Sequence, residues 1–344
     1  MLVALLILTL PKQLFAKAEE ARKTYSESFE VNPDATLKLD NEFGMISLIS
    51  WDKNVVEIEV EVFVDAKNED KASKKLKQID VLISGSSNMV KVITEISKSS
   101  GSFNGEFSID MTIRAPKSMV LELNNEFGDV VITEWDGPAD IKIEFGSLTA
   151  NKFTSEDLII DLEFSKGNIE LINKAEIDLE FSDSFSIQKA KELDIDSEFS
   201  AVDVDFVERI TASFEYGAFE LGQANQVNFN GEFTDFTLGK LYKKGDFKNE
   251  YGNIKIEFVS KSFEELILNN SFSNIKVYFE EGSEFSFELS SEFGDINVMD
   301  DSTVKIDKEG IGEHYIKGYY GSSSSTSRVI ADSEYGKISL KIAD

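Results

Sequence analysis

Few residues in this sequence are of the types that catalyse reactions. Among 344 residues there is one histidine, His314, and no cysteine, whereas aspartate and glutamate number 64. His314 stands in a Gly-Glu-His-Tyr segment, which is more typical of a solvated loop than of a general base. No Gly-x-Ser-x-Gly segment and no glycine-rich phosphate loop is present, so neither a serine nucleophile nor a nucleotide site is indicated. Clustered carboxylates could still cleave a polysaccharide, because two acids suffice for glycoside hydrolysis.

Glutamate recurs immediately before an aromatic residue, and this row is the candidate site. Eight of these glutamates come from consecutive repeats: Glu126, Glu144, Glu163, Glu180, Glu198, Glu215, Glu232 and Glu250. If the repeats stack, neighbouring carboxylates lie about 5 Å apart and repel each other by about 0.8 kcal/mol per pair in water. The row should therefore destabilise the fold at neutral pH unless cations or neighbouring lysines, such as Lys142 and Lys255, screen it. We expect either weak, non-selective binding of cations along this face or a simply solvated charged face. No selective metal site and no cofactor are predicted.

The aromatic residue of this motif defines a repeat. Its twelve regular copies are Phe43, Phe127, Phe145, Phe164, Phe181, Phe199, Tyr216, Phe233, Tyr251, Phe272, Phe293 and Tyr335. From Phe127 to Tyr251 the spacing is 17 to 19 residues, and it is 21 residues for each of the next two steps. Tyr335 lies 42 residues beyond Phe293, which predicts two further steps of 21. We interpret these aromatics as structural residues at one position of a repeated unit.

Each unit has the pattern of a bent β-strand. Before the aromatic, apolar and acidic residues alternate, as in Ile177-Asp178-Leu179-Glu180, which predicts a strand with one buried face. After the aromatic come a small residue and then apolar residues at the third and fifth positions, such as Val202 and Val204 after Phe199. Because the alternation slips by one residue there, we expect a corner. The glycine or serine after the aromatic is predicted to adopt the positive φ that a tight corner can require.

Two short strands joined at a corner cannot bury their apolar faces alone and must stack on the next copy. The predicted fold class is therefore all-β, a parallel β-helix or β-solenoid with about 17–21 residues per coil. A meander or sandwich is the alternative, although hairpin dipeptides such as Asn-Gly do not recur with the period. Polar residues two before the aromatic, such as Asn125 and Asn249, point inward by parity. They would either form an amide ladder along the axis or mark turns beside the corner.

Three parts of the chain differ in pattern. Residues 1–18 contain an aliphatic run from Leu2 to Leu10 and then alanines at 16 and 18, as in a signal peptide cleaved after either alanine; an ordinary buried element is the alternative. Residues 19–100 hold one clear repeat and a Lys-, Ala- and Glu-rich stretch from Asn68 to Gln78. We interpret them as an N-terminal capping β region with a short helical excursion. Residues 101–344 are predicted to form the β-solenoid repeats.

The formal net charge of −29 limits the partners. Nucleic acid and anionic lipid surfaces would be repelled at long range, so neither is an expected partner. The aliphatic run is too short to span a bilayer, which takes about 20 residues, so no direct membrane span is predicted after signal cleavage. We expect the mature chain to be secreted, periplasmic or on the cell surface.

Two segments resemble a known family. Asn41-Glu42-Phe43-Gly44 leads to Trp51-Asp52, and Asn125-Glu126-Phe127-Gly128 leads to Trp135-Asp136. This pattern resembles the bacterial "putative adhesin" repeat family, a domain of unknown function that is similar to the auto-transporter adhesin head domain, over roughly residues 35–344. The resemblance implies a β-helical fold and an exported or envelope location, and the family offers no active site to transfer.

These observations predict an exported, non-enzymatic β-solenoid that acts as an adhesin-like binding or scaffold protein of the bacterial envelope. Its extracellular or envelope ligand, carbohydrate or protein, is not specified by the sequence. The alternative is a carbohydrate-active enzyme, a polysaccharide lyase or hydrolase on a β-helix. The acids, however, alternate with apolar residues along the strands, which is the placement expected of a solvated face.

Overall fold

The computed structural model describes residues 19–97 and 103–343. Within these ranges the chain forms one sheet of 26 strands and a single α-helix, which confirms the all-β prediction. The predicted signal peptide, residues 1–18, lies outside the described residues. No helix in the described ranges combines the length and the apolar character that a membrane crossing would take.

The N-terminal part of the chain contributes nine strands and the helix. They are β1 (Glu19–Glu30), β2 (Thr36–Phe43), β3 (Ile46–Trp51), β4 (Val55–Ala66), α1 (Glu69–Leu76), β5 (Ile79–Gly85), β6 (Met89–Ile96), β7 (Gly105–Pro116), β8 (Val120–Phe127) and β9 (Asp129–Trp135). β2 pairs in parallel with β6 and β8, and β3 with β7 and β9. β4 lies antiparallel between β1 and β7. The repeat of Phe43 is thus bonded directly to the repeat of Phe127, although β4 to β7 separate them in sequence.

Helix α1 occupies the segment for which the sequence predicts a short helical excursion. Asn68 is its N-cap, and the side-chain oxygen of Asn68 accepts a hydrogen bond from the backbone N–H of Lys71 at 3.0 Å. Acidic residues fill the first turn and lysines the last, an arrangement that the helix dipole favours. The helix packs against β1 and β4.

Nine further strands form the central repeats. They are β10 (Ala139–Glu144), β11 (Ser147–Phe153), β12 (Leu158–Glu163), β13 (Lys166–Glu180), β14 (Ser184–Glu198), β15 (Ala201–Glu215), β16 (Ala218–Glu232), β17 (Asp235–Glu250) and β18 (Ile254–Val259). From β13 to β17 each strand pairs in parallel with the next along its whole length. Equivalent residues stand opposite each other, so that Ile177 pairs with Ile195 and Glu180 with Glu198.

Alternation along these strands gathers the apolar side chains into one core. In β13 the side chains of Ile169, Ile172, Ala175 and Ile177 are at most 3% exposed. Two consecutive outward residues separate Ile169 from Ile172, and two more separate Ile172 from Ala175, so the strand turns at both places. Burial of each large aliphatic side chain contributes about 1.5–3 kcal/mol, and every repeat adds several.

The last eight strands are arranged out of sequence order. They are β19 (Glu265–Ser271), β20 (Ile275–Phe279), β21 (Phe285–Glu292), β22 (Ile296–Asn297), β23 (Thr303–Glu309), β24 (Glu313–Tyr320), β25 (Arg328–Glu334) and β26 (Ile338–Ile342). β25 lies between β19 and β21 and pairs in parallel with both, and β26 likewise pairs with β20 and β22. β23 and β24 form an antiparallel hairpin, and β24 is also antiparallel to β21.

The prediction that Tyr335 lies two steps beyond Phe293 is therefore wrong. The 42 intervening residues hold the β23–β24 hairpin and the loop at 321–327, after which the chain returns to fill the space between β19 and β21. Spacing could not reveal this order, because an antiparallel excursion of this length occupies the same number of residues as two coils.

The inserted order can be checked by disulfide cross-linking, since the chain has no cysteine of its own. Asn269 pairs with Asp332, and Asp332 pairs with Ser290 on its other side. We expect Asn269→Cys/Asp332→Cys to form an intrachain disulfide on mild oxidation, because adjacent strands bring Cα atoms within the range that a disulfide spans. The matched pair Asn269→Cys/Ser290→Cys should stay reduced. Ready cross-linking of the second pair, scored by mass spectrometry, would show that β19 and β21 are neighbours.

Candidate functional site: an aromatic column beside a glutamate row

All twelve repeat aromatics lie in one column. Along it the order is Phe43, Phe127, Phe145, Phe164, Phe181, Phe199, Tyr216, Phe233, Tyr251, Phe272, Tyr335 and Phe293. Successive ring centroids are 4.7–5.2 Å apart, with planes within 10° of parallel. Ten of the rings are 41–61% exposed. Since ring faces cover one another, the column presents ring edges to solvent.

The positive φ lies on the aromatic itself in ten of the twelve repeats. Phe145, for example, has φ 54° and Tyr251 has φ 58°. The prediction of a positive φ at the following small residue holds at Gly44 and Gly128, and it is wrong for the remaining repeats. A side chain in this region costs about 1–2 kcal/mol, while a stacked aromatic pair contributes about 0.5–1.5 kcal/mol beyond its burial. The stacking thus roughly offsets the backbone strain at each corner.

The corner conformation also continues the backbone hydrogen bonds of the sheet. The N–H of Phe181 donates to the carbonyl of Glu198 at 3.1 Å, and the N–H of Phe199 donates to the carbonyl of Glu215 at 2.9 Å. The same bond joins seven further ring residues to the repeats stacked on them, namely Phe145, Phe164, Tyr216, Phe233, Tyr251, Phe272 and Tyr335. Each of these rings is therefore held at a fixed height by its own amide.

Buried hydroxyls lie directly after the rings. Their hydrogen-bonding role was not predicted from the sequence. In four repeats this residue is Ser165, Ser182, Ser200 or Thr234, and each is at most 4% exposed. The oxygen of Ser182 accepts the N–H of Ser165 at 3.2 Å and donates to the carbonyl of Glu180 at 3.2 Å. Ser200 repeats this pattern toward Ser182 at 2.9 Å. Each hydroxyl hydrogen-bonds a backbone amide that the corner removes from the sheet. The recurrence of serine directly after the ring is the sequence signal from which this role could have been predicted.

The predicted amide ladder forms at one place in the described chain. The Nδ2 of Asn41 donates to the Oδ1 of Asn125 at 3.1 Å. Asn249 donates instead to the carbonyl of Thr234 at 2.8 Å, and the amide of Asn270, opposite it in register, has no partner among the described residues. A continuous ladder is therefore wrong, because intervening repeats carry apolar residues at the same position.

Both ends of the column are covered. At the N-terminal end, Phe107 packs on Phe43 at 4.8 Å between ring centroids, and the Nζ of Lys75 from α1 lies 4.0 Å from the centroid of Phe107. Burial lowers the pKa of Lys75, against an opposing effect of Glu42. At the other end, Gly312 lies against the ring of Phe293, and its carbonyl accepts the N–H of Phe293 at 2.6 Å. The helix excursion and the β23–β24 turn thus terminate the stack.

The glutamates before the rings stand in one row beside the column. Consecutive pairings run without a break from Glu144 to Glu250, and Glu126 precedes the ring stacked on Phe145. None of the eight side chains forms an ion pair with another described residue. Lys142 lies 3.6 Å from Asp161, and Lys255 lies 2.6 Å from Glu257, so each of these two lysines forms its ion pair with a carboxylate outside the row.

More carboxylates lie beside the row, at the outward positions that precede it on β12, β13 and β14. Asp161, Asp178 and Asp196 are in register, and Glu176 pairs with Asp194. Partial burial, followed by the charges of Asp196 and Asp161, raises the pKa of Asp178. We call these five residues, with Glu163, Glu180 and Glu198, the acidic face. In contrast, the carboxylate of Glu192 forms ion pairs with both Lys174 at 3.2 Å and Arg209 at 2.5 Å.

The single histidine lies on the hairpin that covers the Phe293 end of the column, where it pairs with Ser291. The Nε2 of His314 lies 3.1 Å from the Oδ1 of Asp307, across the β23–β24 hairpin. No group of three or more histidine, aspartate or glutamate side chains in the described ranges is arranged to hold a metal ion. The site residues therefore form an extended surface of ring edges and carboxylates.

Comparisons with known proteins give no family. No family model matches the chain, and no curated protein matches it. A solved "putative cell adhesion protein" from Clostridium sporogenes is 10% identical, with 94% of this chain and 99% of that chain covered and a TM-score of 0.19. A "putative adhesin" from Bacteroides fragilis is 14% identical, with 92% and 97% covered and a TM-score of 0.26. A "putative lipid binding protein" from Parabacteroides distasonis is 9% identical, with 92% and 96% covered and a TM-score of 0.33.

The strain at the corners can be tested by replacing one ring in two ways. Phe199→Ala and Phe199→Gly both remove the stacking with Phe181 and Tyr216. We expect the alanine variant to be less stable by about 1 kcal/mol, because only glycine relieves the positive φ. At Asp194, in mid-strand, the order should reverse by about 0.5–1 kcal/mol. Urea unfolding followed by circular dichroism measures all four variants, and equal stability of the two Phe199 variants would contradict a strained corner.

The acidic face should make stability depend on pH. The pKa of Asp178 is raised in the folded chain, so its stabilising contribution is complete below the ordinary value of 3.8 and is lost as pH rises through the folded pKa. Asp178→Asn should therefore stabilise the chain at pH 7, by less than about 1 kcal/mol because the group is exposed, and should have no effect near pH 3.

Asp136 provides a control of opposite sign. Burial alone would raise the pKa of Asp136, but hydrogen bonds from Thr154 and Lys117 lower it. Its contribution is present above the ordinary pKa and is lost as pH falls through the folded pKa, so Asp136→Asn should destabilise at pH 7. Urea midpoints measured across this pH range check both variants. Destabilisation by Asp178→Asn at pH 7 would contradict the repulsion.

Proposed function

We propose that this chain is an exported, non-enzymatic binding scaffold of the bacterial envelope, built as a parallel β-solenoid. The registers from β10 to β20 support the solenoid, since each repeat pairs in parallel with the next and like residues lie on like residues. Strands β4 to β7 with helix α1, and the β23–β24 hairpin, lie at the two ends of the column, where a solenoid needs caps over its open edges.

The observation that carries the binding role is the column of half-exposed rings beside glutamates that form no ion pair with any other described residue. Monomeric proteins seldom expose apolar patches of more than a few hundred Å² without a use for them. Here ten exposed rings stand in one column about 45 Å long at about 5 Å per step. Backbone hydrogen bonds and stacking hold each ring in place, so a partner would bind without ordering the surface first.

The arrangement of the acids supports binding over catalysis. Glycoside cleavage needs two carboxylates on opposite sides of one bond, about 5–9.5 Å apart, with one pKa raised for the acid role. The acids of the acidic face stand side by side on one exposed face of β12 to β14. Acids that stand side by side along the stack are not placed on opposite sides of one bond, as the two acids of a glycosidase must be.

Export and the absence of turnover can be measured together. We expect mass spectrometry of fractionated cells to find the chain outside the cytoplasm with its N-terminus after Ala16 or Ala18. The purified chain should release neither unsaturated products nor new reducing ends from alginate or polygalacturonate. An intact N-terminus in the cytoplasm would contradict export. Turnover that is lost on substituting Asp178 and Asp196 would favour the polysaccharide enzyme.

A further inference from the structure

We infer that the aromatic column and the glutamate row bind a cationic amphipathic α-helix. The inference rests on the proposed binding function and gives the chemistry of the partner. The column supplies an apolar strip, and the row supplies carboxylates along one side of it from Glu144 to Glu250. The partner must therefore have an apolar stripe with cations beside it.

The direction in which the rings point excludes the usual mode of sugar binding. Sugars and quaternary ammonium groups use the flat face of an aromatic ring, but every face inside this column is covered by another ring at 4.7–5.2 Å. The outer face of Phe43 is covered by Phe107, and Gly312 lies against Phe293. What remains is a line of C–H edges, which suits contact with aliphatic side chains.

The repeat distance favours a helix over an extended peptide. A helix places about one side chain per turn near the same line, at intervals that average 5.4 Å, which differs from the ring spacing by about 0.5 Å. An extended strand repeats on one face every 6.6–6.8 Å and loses register after about two steps. Over four or five turns the side chains of a helix stay within about half a ring spacing of the rings beneath them.

The two flanks of the column explain why the cations should lie on one side. On one flank are Glu180, Glu198 and Glu215, which are exposed and form no ion pair in the described chain. On the other flank Ser184, Ala201 and Ala218 are small and neutral, and this stretch is bounded by Lys166 on one side and Asp235 on the other. A helix can therefore lie over the ring edges and the small residues while its lysines reach the glutamates.

The experiment titrates the purified full chain into a labelled peptide of about 18 residues, made of leucine and lysine and helical with one apolar face. We expect saturable binding that weakens with salt and that falls about tenfold for Glu180→Gln/Glu198→Gln/Glu215→Gln, since each exposed ion pair contributes a fraction of that factor. The matched variant Glu170→Gln/Asp205→Asn/Glu208→Gln removes the same charge six to nine residues past the rings and should bind like the parent. Phe181→Asn/Phe199→Asn, which keeps residues that tolerate positive φ, should also lose affinity.

Several outcomes would overturn the inference. Equal loss in both charge variants, or equal binding of a scrambled peptide of the same composition, would mean attraction to the net charge alone. A chain that sediments as a dimer and becomes monomeric on Phe181→Asn/Phe199→Asn would mean that a second copy covers the column. Binding of the peptide by a chain that is not exported would contradict the proposed location and leave this inference standing, so the two failures are distinguishable.

Discussion

The fold depends on a register in which each repeat lies on an identical position of the next, about 5 Å away. In nine of the twelve repeats the amide of the ring residue donates to the carbonyl of the residue before the next ring in the column, so neither residue can shift along the axis. Any side chain that recurs at one position is therefore stacked on copies of itself. Aromatic rings gain from this arrangement, because parallel offset rings attract. Carboxylates lose, because like charges at this distance repel even in water.

The remainder of the surface shows how such repulsion is relieved where the fold requires it. At the position of Glu192, the side chains of three successive repeats alternate in charge. Lys174 and Arg209 therefore both form an ion pair with the same carboxylate. At the corner, buried serines change a potential clash of amides into a chain of hydrogen bonds. The alternation of charge and the chains of hydroxyls also disfavour a slip of one residue between neighbouring repeats. Such a slip would place like charges opposite each other. Specific register thus comes from polar rows, and stability comes from the core and the ring column.

The local structure of the repeats could be predicted from the sequence. The order of the strands at the two ends of the sheet could not. Alternation, the 17-to-21-residue period and the recurrent aromatic predicted strands, parallel stacking and the identity of the ring residues. The placement of the positive φ was missed because glycine is the usual residue there, and only the stacking of Phe145 to Tyr335 makes a ring acceptable in that conformation. The insertion of β25 between β19 and β21, and the position of Lys75 over Phe107, depend on contacts between distant segments. No local pattern encodes such contacts.

The glutamate row is the one feature that the fold does not need. A row of glutamine at the same positions would have the same size and strand geometry, would hydrogen-bond along the axis, and would remove the repulsion of about 0.8 kcal/mol per pair. Solubility does not require the row either, because the chain would keep a large negative charge without these eight residues. Sequences tend to break such local rules where a surface has a use. The charge is concentrated beside exposed ring edges, and Lys142 and Lys255 form their ion pairs with Asp161 and Glu257 and not with the row. A surface that keeps its charge unpaired at the expense of stability is best explained by a cationic partner that completes it.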